Sequence, residues 1–137
     1  MKSSILAFAV AALVAGPAAA QVPTGKMGAL RPDQKQFFAL YKELVETDTS
    51  ITTGDCTKAA AQIAARLKAA GFADDQITQF SVPDHPKEGG IVAVYPGTST
   101  TLKPLLLLAH IDVVAAKRAD WVRDPFKLVE EKGYYYA

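Results

Sequence analysis

The chain has 137 residues, a single cysteine, 21% charged residues and a formal charge of +1. That length suits one domain with a real core. The balanced charge lacks the basic stripe of a nucleic-acid binder, and one cysteine excludes an internal disulfide.

The N-terminus opens with the positive Lys2, an apolar run from Ile5 to Val14, the break Gly16-Pro17, and Ala18-Ala19-Ala20 before Gln21. This is the layout of a cleaved secretory signal over residues 1–20. The apolar run, about ten residues long, is too short to span a bilayer. An N-terminal anchor or a buried helix is the competing reading. Cleavage removes one lysine, taking the formal charge from +1 to 0. The expected location is therefore the periplasm or the exterior, with no membrane association after cleavage. Residues 21–31, with Pro23, Gly25 and Gly28, read as a flexible mature N-terminus.

Pro32 to about Thr47 is predicted to be a helix. Pro32 suits a first helical turn, and Asp33 suits the positive end of the helix dipole. Phe37, Leu40, Tyr41, Leu44 and Val45 recur at three- and four-residue spacings and form one apolar stripe. Thr47-Asp48-Thr49-Ser50 ends the helix with side chains that compete for backbone hydrogen bonds. After a short loop, Thr53 or Asp55 can cap a second helix running to about Ala70, with Gly71 as its C′ residue. Ala60, Ile63, Ala64 and Leu67 form its expected buried side. Cys56 falls in its first turn, where a thiol pKa tends to drop; a structural role is favoured over a nucleophile.

The period then changes to two. Gln76 to Val82 and Ile91 to Tyr95 are predicted strands, paired antiparallel because their link is short. Pro83-Asp84-His85-Pro86 and Gly89-Gly90 read as the turn-rich link, with His85 solvated in it. Leu105 to Ala109 reads as a central strand buried on both faces. Ala115 to Asp124 is irregular around Trp121. Phe126 to Glu130 and Tyr134 to Ala137 resemble hairpin arms, with Glu131-Lys132-Gly133 turning between them. Helices covering such strands argue an α/β fold with a mixed sheet.

His110 and Asp112 are the strongest candidates for chemistry. In α/β sheets, chemistry sits beyond the carboxyl ends of the strands. Side chains at i and i+2 of an extended chain point the same way, so these two emerge together. A histidine beside a carboxylate suits a metal ligand with its orienting partner. A core histidine satisfied by a backbone carbonyl, and an aspartate acting as a loop cap, remain open. Trp121 with Asp124-Pro125-Phe126 reads as a loop anchor ahead of a cleft wall. No glycine-rich phosphate loop, G-x-S-x-G elbow or H-E-x-x-H helix is present.

The run Leu105-Leu106-Leu107-Leu108-Ala109-His110-Ile111-Asp112-Val113-Val114, then Trp121 and Asp124-Pro125-Phe126, then a hairpin, resembles the M20 family of metallopeptidases. Leu44-Val45-Glu46-Thr47-Asp48-Thr49-Ser50, followed by a helix ending Ala69-Ala70-Gly71-Phe72, is similar to that family's opening. Ala115 stands where the family often has proline. The resemblance covers residues 33–137 and implies that residues 32–137 form the N-terminal part of a zinc-exopeptidase-like catalytic domain. It implies two divalent metals, normally Zn2+, with His110 as a ligand of one and Asp112 as the neighbouring active-site acid. It further implies hydrolysis of amide bonds in peptides or N-acyl amino acids, and a possible homodimer for a complete enzyme.

The family's bridging aspartate, Glu-Glu pair and later ligands are not found by Ala137. The expectation is the front part of a metallopeptidase, inactive by itself and poorly soluble because its leucine strand lacks neighbours. The alternative is a small exported, non-catalytic binding module. A single-metal site completed by Asp84 or Glu130 is a third, less favoured reading, since those residues lie on other elements.

Overall fold

The computed structural model describes residues 29–137. The segment 1–20, predicted to be a signal sequence, and most of 21–31, predicted to be a mature N-terminal tail, lie outside the described residues.

Helix α1 spans Pro32–Val45 and helix α2 spans Cys56–Ala69. Both ends of α1 follow from local chemistry. Pro32 supplies the preset φ of a first turn, and the Gln34 side-chain oxygen accepts the Arg31 amide N–H at 3.0 Å. At the far end the Thr47 hydroxyl donates back to the Glu43 carbonyl at 2.7 Å. The apolar stripe keeps Leu40, Leu44 and Val45 but takes Phe38 in place of Phe37 and leaves Tyr41 exposed. Phe37 is 69% exposed, while Phe38, Leu40, Leu44 and Val45 are half-buried. Phe38 meets the ring of Tyr135, with centroids 5.2 Å apart.

Asp55 is the α2 cap, its carboxylate accepting the Lys58 amide at 2.7 Å. The other capping candidate, Thr53, turns to Asp48 instead. The end of α2 is a Schellman closure. Gly71 N–H donates to the Lys68 carbonyl and Phe72 N–H to the Leu67 carbonyl, each at 3.0 Å. Gly71 takes φ +97°, which suits a residue without a Cβ.

Strands β1 (Ile77–Val82) and β2 (His85–Ala93) form an antiparallel hairpin, registered Ile77 to Ala93 with a bulge at Ser81/Val82. The link is only the Pro83-Asp84 turn. His85, expected in a surface loop, is the first residue of β2, although its side chain is exposed. Gly89-Gly90, read as turn punctuation, are strand residues that permit close approach. A Cβ on Gly89 would lie 2.3 Å from Thr57 Oγ1 and 2.5 Å from the Phe80 carbonyl oxygen. Helix α2 packs on this hairpin, mainly on β2, and the Thr57 hydroxyl donates to the Pro86 carbonyl at 2.7 Å. Among the described residues the small buried core is Ala59, Ala60 and Ala64 of α2, with Leu128 from the segment just ahead of the last hairpin. Alanines at the contact let helix and strand backbones close up.

Strands β3 (Val129–Glu131) and β4 (Tyr134–Tyr136) pair antiparallel. Lys132 and Gly133 both have positive φ, 54° and 82°, as a two-residue type I′ turn requires. Glu131 therefore belongs to a strand rather than to the turn. The Leu128 amide donates to the Glu46 carboxylate at 3.1 Å and joins this hairpin to the end of α1.

Helices and strands share the unit Arg31–Ala137, in keeping with an α/β class. The sheet is realised as two separate antiparallel pairs. The predicted central strand is a correction: Leu105–Ala109 has no ladder partner. Leu105 to Leu108 are between 79% and 88% exposed. A buried parallel strand needs paired edges and covered faces, and no described element reaches this segment. The parallel contact that does form is a single bridge, Ser50 to Val113.

Candidate metal-ligand site

His110 and Asp112 lie in the extended stretch following the leucines, and their side chains meet as the i, i+2 spacing predicts. His110 Nδ1 stands 3.2 Å from Asp112 Oδ1 and 3.1 Å from the Asp112 carbonyl oxygen. A proton on Nδ1 donates to both acceptors. That tautomer leaves the Nε2 lone pair free, the arrangement of a ligating imidazole steadied by a carboxylate. The two side chains are 85% and 69% exposed. The pair is thus not a core histidine with a buried partner.

The segment is held from the α1–α2 linker. The Thr49 hydroxyl donates to the Ile111 carbonyl at 2.8 Å, and Ser50 makes its bridge to Val113. Both linker residues are buried. The linker is itself braced: the Asp48 carboxylate accepts the Ser50 amide at 2.9 Å and the Thr53 hydroxyl at 2.6 Å. Nothing in the local pattern around Thr49 signals this role. Its partner lies 62 residues away.

Asp112 also borders an open cleft of about 540 Å³ between this linker and the start of β2, with Cys56, Asp84, His85 and Glu88 on its walls. His85 Nδ1 is 3.6 Å from Glu88 Oε1. Cys56 occupies the first helical turn as expected, but its thiol pKa is raised rather than lowered. Burial is the larger cause, followed by the negative charges of Asp112, Asp55 and Glu88. Its Sγ rests 3.5 Å from the Thr49 carbonyl. A thiol shifted in this direction favours packing over nucleophilic chemistry.

The described residues do not assemble a catalytic zinc site. A catalytic zinc takes about three protein ligands, and among the described residues no three His, Cys, Asp or Glu side chains gather as potential ligands. Neither Asp84 nor Glu130 joins His110 in such a group. What this stretch offers is one exposed imidazole whose Nδ1 meets the Asp112 carboxylate. Trp121 is partly exposed, and its carbonyl accepts from the Arg118 guanidinium at 2.6 Å. Asp124 Oδ1 accepts the Phe126 amide at 2.9 Å, so Asp124-Pro125-Phe126 is a side-chain-closed turn leading into β3.

No family model and no solved structure matches the chain. Curated proteins do match over short stretches. An acetylornithine deacetylase of Dictyostelium discoideum is 40% identical over 57 residues, which are 39% of this chain and 13% of that protein. Human aminoacylase-1 is 43% identical over 47 residues, 34% of this chain and 12% of the relative. Rat aminoacylase-1B is 41% identical over 46 residues, 33% of this chain and 11% of the relative. The matched stretches thus span a small fraction of these relatives' own length.

Proposed function

We propose that this chain carries part of the metal site of an exported, M20-type hydrolase that cleaves the amide bond of N-acyl amino acids. The observation that carries the reading is the His110–Asp112 pair, with Nδ1 engaged at 3.2 Å and Nε2 left to ligate. The similar proteins are a deacetylase and aminoacylases by name, which favours an acylated amino acid over a longer peptide. Residues 1–20 support export by their signal-like layout.

Zinc bound in such a site polarises the amide carbonyl and acidifies a water. His110 would hold it through Nε2. Asp112 fixes the ring's tautomer and raises its basicity. The described residues supply one ligand where about three are needed, so this polypeptide by itself is proposed to bind zinc weakly and to lack turnover.

Zinc titration of the full chain by calorimetry, beside His110→Ala, tests the reading. Weak one-site binding abolished in the variant is expected. Zinc binding unchanged in His110→Ala would overturn the ligand assignment, and no binding by either protein would favour a non-catalytic module. Zinc-dependent release of amino acid from N-acetyl substrates above the His110→Ala level would overturn the proposed inactivity.

A further inference from the structure

We infer that Thr49 is a positioning residue for the His110–Asp112 pair, an inference that rests on the proposed metal reading of that pair. The segment before His110 offers no support, since Leu105–Ala109 pairs with nothing. Its anchorage comes from two consecutive residues of the α1–α2 linker. Thr49 Oγ1 donates to the carbonyl of Ile111, the residue between the histidine and the aspartate. Ser50 bridges to Val113, two residues further on. Gripping an extended chain at 111 and 113 leaves the side chains of 110 and 112 to project together.

The platform under this grip is buried and closely packed. Thr49 is 4% exposed and Ser50 2%. The linker folds so tightly that a Cβ on Gly54 would lie 2.5 Å from the Thr49 carbonyl carbon. A hydroxyl locked at one end and bonded to the central peptide at the other fixes where the imidazole and the carboxylate meet. Rotation of the Ile111 peptide is the motion that separates them, and the Thr49 bond opposes it.

The test uses the full chain with zinc alone as the probe. Thr49→Val keeps the shape and deletes the donor, whereas Thr49→Ser keeps the hydroxyl. Without metal, the ring-nitrogen NMR shifts of His110 are expected to report the Nδ1–H tautomer in wild type and Thr49→Ser, and a mixture of tautomers in Thr49→Val. Zinc affinity is expected to fall about tenfold in Thr49→Val, the scale of losing an outer partner of a ligand, and to recover in Thr49→Ser. The amide signals of β1 and β2 serve as the control for folding.

Wild-type tautomer and zinc affinity in folded Thr49→Val would overturn the inference while leaving the metal reading intact. Zinc binding indifferent to His110→Ala would remove the metal reading, and the tautomer signature would then decide the role of Thr49 alone. Should Thr49→Val unfold, the wild-type protein decides. A slowly exchanging Thr49 hydroxyl proton with nuclear Overhauser contacts to the Ile111–Asp112 backbone supports the grip, and its absence overturns it.

Discussion

Thr53 donates its hydroxyl to one oxygen of the Asp48 carboxylate at 2.6 Å, while the Ser50 amide donates to the other at 2.9 Å. Burial pushes the Asp48 pKa up. The Thr53 hydroxyl and the Ser50 amide and hydroxyl outweigh it, so the net value lies below the ordinary 3.8. A group whose folded pKa is depressed adds stability above its unfolded pKa and loses it as pH falls through the folded value. The urea midpoint of the wild type is therefore expected to drop between about pH 5 and pH 2, and Asp48→Asn to show a flatter profile with a lower plateau near neutrality. Parallel profiles for the two proteins would show that the carboxylate does not brace the linker.

Gly54 and Gly71 are both loop glycines, yet the structure gives them different reasons. A Cβ on Gly54 would stand 2.2 Å from the Ser50 amide nitrogen and 2.6 Å from its carbonyl oxygen, both backbone atoms that cannot yield separately. Gly71 has open space around it but a φ of +97°. Gly71→Ala is expected to cost about 1–2 kcal/mol, the penalty of a left-handed L-residue. Gly54→Ala is expected to cost more, at or above the roughly 1–3 kcal/mol of overpacking, and to displace the Thr49–Ile111 contact. Chemical denaturation ranks the two. A Gly54→Ala protein no less stable than Gly71→Ala would contradict the close approach.

The sequence makes legible what is decided locally. Both helices, their proline and aspartate starts, and the Gly71 closure follow from spacing and capping within a few residues. The Lys132-Gly133 hairpin depends on equally short range, and so does the i, i+2 spacing of His110 and Asp112, although the grip that holds the pair comes from Thr49. Errors arise where distant contacts decide. Gly89 and Gly90 look like punctuation, but their use is the close packing of β2 on Phe80 and Thr57. The Phe37/Phe38 choice is settled by Tyr135, which comes from the last hairpin. Four leucines promise a buried strand, but burial belongs to their surroundings, and no described element covers them. The Thr49–Ile111 bond joins residues so far apart that no local pattern announces it.

The leucine run yields the remaining prediction. Leu106 and Leu107 are 79% and 84% exposed, so neither contributes burial to the unit built on α2 and β2. Contiguous exposed aliphatics on an unpaired extended segment favour association between chains. Leu106→Lys with Leu107→Lys is thus expected to raise the solubility limit several-fold and to shift light scattering toward monomer. The unfolding free energy is expected to stay within about 1 kcal/mol of wild type, as for two surface substitutions. The grip on Ile111 and Val113 begins after these leucines, so the His110 ring-nitrogen signature is expected to be unchanged. A large loss of stability in the double variant would instead mean that these side chains are buried in solution, and would restore the covered strand that the aliphatic pattern first suggests.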